Sequence, residues 1–395
     1  MDGHERADVI EYRNHVFLPR WQQYLPRMVT FLENGSWSIP DTLPAGEKPL
    51  VLITHDESTF NANDGKRQLW VKDRKQPLRP KSRGKGIMVS GFLTPGSRLR
   101  VPDSISNAEL MRNPSWPMKN GIPLRDSFEF LEYGKDNYWT GDKMVEQTIK
   151  LALPIFHYAF PNCQALFAFD NASNHNSFAS DALLVSRMNH NPGGKQALMR
   201  EGFIHSKGRP QTMVFPANHP ILALRGKAKG IEQVLWERGL WQERRSDGHL
   251  FLLECPKGDG RAGCNLELEG GCCARTVLSQ ERDFQEQKGR LQEELEASNQ
   301  QVIFYPKFHC ELNFIERFWC AAKYYACENC SYSLNGLRAL LPAALDSVTT
   351  PSIHRYFLGC MRVLGGYQRG LQYGTKEFHE AVYKSHRRVE DDSKW

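Results

Sequence analysis

The chain has 395 residues, 40% hydrophobic and 24% charged, which allows one large domain or two ordinary ones with a real apolar core. Its net charge of +6 and pI near 8.7 are compatible with a nucleic-acid partner but do not argue for one, since many cytosolic enzymes are equally basic. No run approaches a membrane span, and "MDGHERADVIEYRNHVF" carries mixed charge without the apolar core of a signal peptide. The ten cysteines are therefore expected in a reducing compartment without a disulfide framework.

In residues 1–48, "HVFLPRWQQYLPRMVTFLENG" reads as one or two short helices broken at Pro19 and Pro26 and ending near Gly35. Residues 48–54, "KPLVLIT", form an apolar, partly β-branched strand that runs to Asp56. "FNANDGKRQLWV" follows with a turn at Asn63-Asp64-Gly65, and "GKGIMVSGFLT" (84–94) is a further strand, so an antiparallel meander is expected. Residues 95–140 read as loop with a short hairpin around "DSFEFLEYGKDNYW". A helix over 142–160, with Val145, Ile149, Ala152 and Phe156 at helical spacing, leads into the strand "CQALFAFD". That order is expected to set Asp170 on a strand parallel to the first.

Residues 176–300 read as a large, mainly helical insertion. It holds a helix near 230–240, a cysteine-rich stretch over 255–273 and a charged helix over 280–298. "QVIFYP" (301–306) is the next strand. A helix then buries Leu312, Ile315, Trp319, Ala322 and Ala326, with Glu316, Lys323 and Cys327 beside that stripe. Residues 352–388 read as two helices capped by Ser352 and Thr375, finishing in the basic "YKSHRR".

The chemistry concentrates in "LITHDESTF" (52–60), "LFAFDNASNH" (166–175) and "FHCELNFIERFWCAAK" (308–323). A carboxylate at the end of a buried strand is costly unless paired or metal-bound. A single such aspartate is usually a turn or cap residue; two, followed by a helix-borne glutamate, are not. A fold that brings Asp56, Asp170 and Glu316 together obtains an all-oxygen site for Mg²⁺ or Mn²⁺. A pair of such ions serves the cutting and joining of phosphodiesters. Glu311 is the competing acid, placed before the helix like a capping residue.

Asn171, Asn174 and His175 could orient water or a phosphate oxygen around the ligands, or simply form an Asx turn; Asn313 joins that outer set. His55 and Glu57 should point away from Asp56. The basic run "KDRKQPLRPKSRGKG" (72–86) reads as a phosphate-contacting segment or as a solvated loop, with Lys81, Arg83, Lys85 and also Lys323 as the DNA-contact candidates. Cys327-x-x-Cys330 has zinc-like spacing, whereas Cys255-x8-Cys264-x7-Cys272-Cys273 matches no regular finger. A structural Zn²⁺ staple on those four, with His309 or Cys310 as outside help, stands against ordinary unligated thiols.

Through "HDES" (55–58), "DNASNH" (170–175) and "ELNFIERFW" (311–319), the chain resembles the DDE transposases, in particular mariner-like DDE endonucleases of the type found in fungal genomes. The last segment is similar to the family's "DLNPIENLW", with Phe314 where proline is usual. The resemblance covers roughly residues 50–333. It implies a ribonuclease-H-like α/β fold, a mixed sheet flanked by helices. In chain order that means an amino-terminal helical segment (1–48), the first part of the catalytic core (49–175), the insertion (176–300), the last strand and glutamate-bearing helix (301–335) and a helical tail (336–395). It further implies Asp56, Asp170 and Glu316 as a triad on two Mg²⁺ or Mn²⁺ ions, Asp56 bridging both. The implied partners are transposon ends and target DNA, with a homodimer allowed and no membrane, and the implied location is the nucleus. The 145 residues between Asp170 and Glu316 far exceed what compact members need. The amino-terminal stretch is too short for the family's paired helix-turn-helix domain, so a catalytic fragment, or a copy without its DNA reader, is expected. The rival readings are a catalytically idle or domesticated DNA-binding descendant, and a metal-dependent nuclease without transposition.

Overall fold

The computed structural model describes residues 3–66, 78, 80–134, 138–172, 174–255, 264–265 and 267–383. The chain forms two compact units, Met1–Asn176 with Leu291–Trp395, and Ser177–Arg290.

The first unit is built on a five-stranded mixed sheet. Its strands are β1 (Leu50–Asn61), β2 (Gly86–Leu93), β3 (Glu129–Glu132), β4 (Gln164–Phe169) and β5 (Gln301–Phe304), in the order β5-β4-β1-β2-β3. β1, β2 and β3 pair antiparallel, while β4 runs parallel to both β1 and β5. The first strand does not stop at Asp56. Parallel pairing with β4 covers Leu50 to Thr54, but antiparallel pairing with β2 runs from Thr54 to Asn61. Asp56 thus sits where β1 has lost one neighbour and kept the other. The segment expected as a separate hairpin supplies the edge strand β3, with Phe130 opposite Val89.

Side chains alternate across β1 and β4, as the period of two requires. Leu50, Leu52, Leu166 and Ala168 face one apolar cluster; Val51, Ile53, Ala165, Phe167 and Phe169 face the other. Helices α1 (Ala7–Tyr12) and α2 (Leu18–Tyr24) form one rod through a π-turn at Arg13–Phe17. On the far face, α3 (Gly141–Gln147) and α4 (Leu153–Ala159) are joined in the same way at Thr148–Ala152. The break expected at Pro19 therefore does not occur. The wider turn ahead of Pro19, and of Pro154, absorbs the missing amide donor, and the rod ends at the second proline, in the 3₁₀ turn Leu25–Arg27.

Leu291 and Leu295 of α5 (Arg290–Ala297) complete the far-face cluster. The near face is closed by α6 (Ile315–Glu328), α7 (Leu334–Asp346), α8 (Thr350–Gln368) and α9 (Lys376–Val382). Thr375 caps α9, its hydroxyl accepting from the Phe378 amide at 3.2 Å. Ser352 does not cap α8: the helix starts two residues earlier, with Thr349 at the cap and Pro351 in the first turn, where a missing amide costs nothing. Of the basic "YKSHRR", residues 384–388 lie outside the described residues.

The second unit overturns the expectation of a mainly helical insertion. Its α-helices are short, Ile231–Arg238, Ala274–Ser279 and Arg282–Gln285, with a two-stranded ladder of Gly202–Ile204 and Arg209–Gln211, and turns and loops make up most of the rest. The charged stretch 280–298 is not one helix. It breaks before Arg290, and Leu291 and Leu295 pack with the first unit's core. Gly193 and Gly194, at φ 76° and 74°, hold consecutive left-handed conformations that stop any helix in "NPGGKQALMREG". The charged centre is Arg238, whose guanidinium donates to both Asp283 oxygens (2.9 and 2.7 Å), to Glu281 (2.7 Å) and to Gln211 (2.8 Å).

Candidate active site

Asp56 shares the parity of Leu50 and Leu52, so it faces the α6 side of the sheet. The last parallel pair is Thr54 with Ala168. Two residues further along, the two chains carry Asp56 and Asp170 at matched positions on that same face.

The third carboxylate arrives by a different route. Asn313, buried just before α6, accepts from the Thr54 hydroxyl at 2.5 Å and donates to the His55 carbonyl at 3.2 Å. The Tyr305 hydroxyl, at the end of β5, also donates to Thr54 (3.3 Å). The turn before α6 is therefore fastened to β1 beside Asp56, and Glu316 lies in the first turn of the helix it starts. Ile315, Phe318, Trp319 and Ala322 seat that helix on the core. Phe314, at the position where proline is usual, keeps φ −68°, within the range proline would impose, and its ring packs against Phe357 at 5.7 Å.

The three carboxyls feel one another. Burial, then the charges of Glu316, Glu57 and Asp170, push the Asp56 carboxyl well above the ordinary range. Burial and Asp170 raise Glu316, against a smaller opposite pull from Lys323. Asp170 is the exception. Burial would raise it too, but the hydrogen bond and charge of His175, with the Ala172 amide at 3.0 Å, hold it below its usual value. The oxygens of the triad do not all lie within 4.8 Å of one another, whereas ligand atoms of His55, Glu57 and His175 do.

That second group lies on the far face. Buried His175 gives Nδ1 to Asp170 and turns Nε2 toward Glu57 at 3.7 Å. Burial opposes its charged form, but Asp170 and Glu57 hold its pKa above the ordinary histidine value. Glu57 is itself raised, by burial first. His55 donates from Nε2 to the Ser90 hydroxyl (2.8 Å), which donates to Gln147 (2.6 Å), and burial with the nearby His175 keeps the ring well below its usual pKa. His55 Nδ1, His175 Nε2 and Glu57 Oε1 are buried without a hydrogen-bond partner. Alternation separates His55 and Glu57 from Asp56, as expected, but Glu57 still acts on the triad through its charge and through His175.

Asn171 donates to the Tyr305 carbonyl (2.6 Å), tying the loop after Asp170 to β5, and Asn174 lies half-buried in the same turn. The Asx turn is made by Asp170 itself. Glu311 does not cap α6. It accepts from Tyr367 (2.7 Å), His309 (2.7 Å) and His4 (3.1 Å), joining the amino-terminal segment to α8. Lys323, two turns beyond Glu316, holds its ammonium 5.8 Å over the Phe60 ring. Lys81, Arg83 and Lys85 are exposed in the β1–β2 connection, with the Asn63 and Ala62 amides bonded to the carbonyls of Arg83 and Lys85. They lie about 17 Å along the strand from Asp56. Residues 72–77 and 79 of the basic run fall outside the described residues. Thr54 and Tyr305 were missed from sequence; their only signal was their place next to Asp56 and at the end of the last strand.

No family model and no curated protein matches the chain. Among solved structures it is similar to the Mos1 transposase paired-end complex with left transposon end, at 10% identity and TM-score 0.41, covering 98% of this chain and 64% of that one. It is also similar to the Mos1 mariner paired end complex with Mn (11%, 0.41, covering 92% and 62%) and the Mos1 strand transfer complex (11%, 0.39, covering 98% and 63%). The chain thus spans less than two thirds of the length of these proteins. Likeness at this level fixes neither residues nor chemistry.

Proposed function

We propose that the first unit is a DDE-type, divalent-metal-dependent DNA endonuclease and strand transferase acting on transposon ends, with Asp56, Asp170 and Glu316 as its catalytic, metal-holding residues. The observation that carries this reading is the convergence of three acids from three elements on one sheet face, Asp56 opposed by burial and by both others. A carboxyl opposed in this way within a well-packed frame is the physical signature of a functional site. The donor set is all oxygen and suits Mg²⁺ or Mn²⁺, which Asp56, Asp170 and Glu316 would hold together. When bound, the ions would polarise the phosphodiester and ease deprotonation of the attacking hydroxyl.

The chain's own groups do the rest. Asn313 and Thr54 hold Glu316 to β1, and His175 fixes the Asp170 carboxylate. Lys323 offers a cation beside Glu316, and Lys81, Arg83 and Lys85 are assigned to phosphates further along the DNA. The strand order, three antiparallel strands followed by two parallel ones, supports a ribonuclease-H-like reading of the core. Residues 177–290 are then an insertion between its last two strands.

The test is nicking of supercoiled DNA with Mg²⁺ or Mn²⁺ against a chelated control. Asp56→Asn, Asp170→Asn and Glu316→Gln should each abolish nicking and leave DNA binding in place; near-normal nicking by any of them removes that residue from the triad. Strand transfer of transposon-end DNA separates a transposase from a plain nuclease.

A further inference from the structure

The second unit contains a cluster that the proposed reaction does not use. The sulfurs of Cys255, Cys264, Cys272 and Cys273 all lie within 4.8 Å of one another. Those of Cys264 and Cys273 are 3.9 Å apart. A Zn–S bond of about 2.3 Å sets the edges of a tetrahedral site at about 3.8 Å. We propose that these four cysteines bind one structural Zn²⁺ ion within residues 177–290.

The surrounding chain is arranged to deliver them. Gly270 and Gly271 take consecutive left-handed conformations, φ 75° and 81°, and turn the chain so that both adjacent cysteines enter the unit together. At Gly271 an added Cβ would stand 2.4 Å from the Val277 side chain, so the turn has no room for another residue. The segment leading to Cys255 is held alongside by the Ala274 and Arg275 amides, which donate to the Leu252 and Leu253 carbonyls at 2.9 and 3.1 Å. The Thr276 hydroxyl lies 3.2 Å from the Cys273 sulfur and 3.5 Å from that of Cys272, the outer contact that orients and supports a thiolate ligand. Cys272 and Cys273 are buried while Cys264 is exposed, so the cluster is anchored inside and open to an arriving ion.

The unit has use for such a crosslink. Its apolar cluster holds eleven buried residues among those described, for a segment of 114 residues made mostly of loops. An ion joining Cys255 to Cys273 closes a long loop and removes freedom from the unfolded chain. A single ion accounts for the close sulfur spacing; an iron–sulfur cluster would need wider separations. His309 is not a fifth partner, since its ring is engaged with Glu311 and Arg13. Cys327 and Cys330 belong to no such group among the described residues.

The test uses the full chain, expressed with zinc and iron both supplied and purified reduced without chelator. Elemental analysis should find about one zinc per chain. The Cys264→Ser/Cys273→Ser variant should fall below about a tenth of an equivalent, while Asp56→Asn/Glu316→Gln keeps its zinc. Because the cysteine variant could fail to fold, cobalt exchange into the wild-type protein is the second measurement. Four thiolates should give intense sulfur-to-cobalt absorption and the bands of a tetrahedral ion. Zinc below a tenth of an equivalent in the wild type, iron in its place, zinc unchanged in the cysteine variant, or an octahedral cobalt spectrum would each overturn the assignment.

Discussion

The two units differ in how their buried charges are met. In the second, Arg238 is fully enclosed and every strong partner is met: two oxygens of Asp283, one of Glu281 and one of Gln211. Lys229 is likewise matched to Glu237 at 2.8 Å. In the first, a sheet with apolar clusters on both faces carries an aspartate that burial and three neighbouring acids oppose, and beside it His55, Glu57 and His175 each keep a buried polar atom with no hydrogen-bond partner. Satisfied networks rigidify a unit that has little core. A large core that over-determines the backbone can tolerate opposed charges, and in the first unit these are the residues assigned to the proposed site.

The sharpest way to break this comparison is to neutralise the opposed charge. Asp56→Asn should lower metal-dependent nicking by on the order of 10³-fold or more, as loss of a central catalytic group does. Plasmid nicking measures it; a loss under about tenfold would make Asp56 a structural residue. Breaking the satisfied network should cost stability instead. Arg238→Ala leaves Asp283 buried without its cation, a loss of about 3–5 kcal/mol. Proteolysis between residues 177 and 290 should accelerate sharply in that variant while nicking by the first unit survives; an unchanged cleavage rate would contradict the role given to Arg238.

Asn313→Ala probes the fastening between the two regimes. Losing a buried amide that bridges β1 and α6 should cost about 1–3 kcal/mol. Displacing Glu316 by even about 1 Å should lower kcat by about 10²-fold with little change in DNA affinity. A variant that loses affinity and keeps kcat would detach Asn313 from the site.

The smallest effect is in pH. Asp56 titrates higher folded than unfolded, so the folded state binds its proton more tightly. Its contribution to stability is complete below the ordinary carboxyl range and is lost as pH rises through the raised folded value. Glu316 has the same sign. Metal-free Asp56→Asn should therefore be the more stable protein near neutral pH, and its thermal midpoint should fall less between pH 4 and 7 than that of the wild type. Parallel curves would show that Asp56 is not opposed by its surroundings.

The three acid-bearing segments and the parallel placement of β4 beside β1 could be read from period and order alone. The continuation of β1 past Asp56 could not, because it depends on antiparallel pairing with β2, some thirty residues away in the chain. Pro19 was misleading, since a proline signals a break unless a π-turn precedes it, and nothing local announces that turn. Glu311 looked like a cap because its partners, His4 and Tyr367, lie 307 and 56 residues away. In the second unit, helical spacing over 280–298 was real in part, but its apolar residues served two different cores.

The central claim is that Asp56, Asp170 and Glu316 jointly hold divalent cations. Titration of the full chain with Mn²⁺, followed by electron paramagnetic resonance, tests it without reference to any DNA substrate. About two Mn²⁺ per chain with an exchange-coupled signal are expected, lost in Asp56→Asn and reduced to an uncoupled signal in Glu316→Gln. Wild-type protein that binds no Mn²⁺, or variants that bind it as the wild type does, would contradict it.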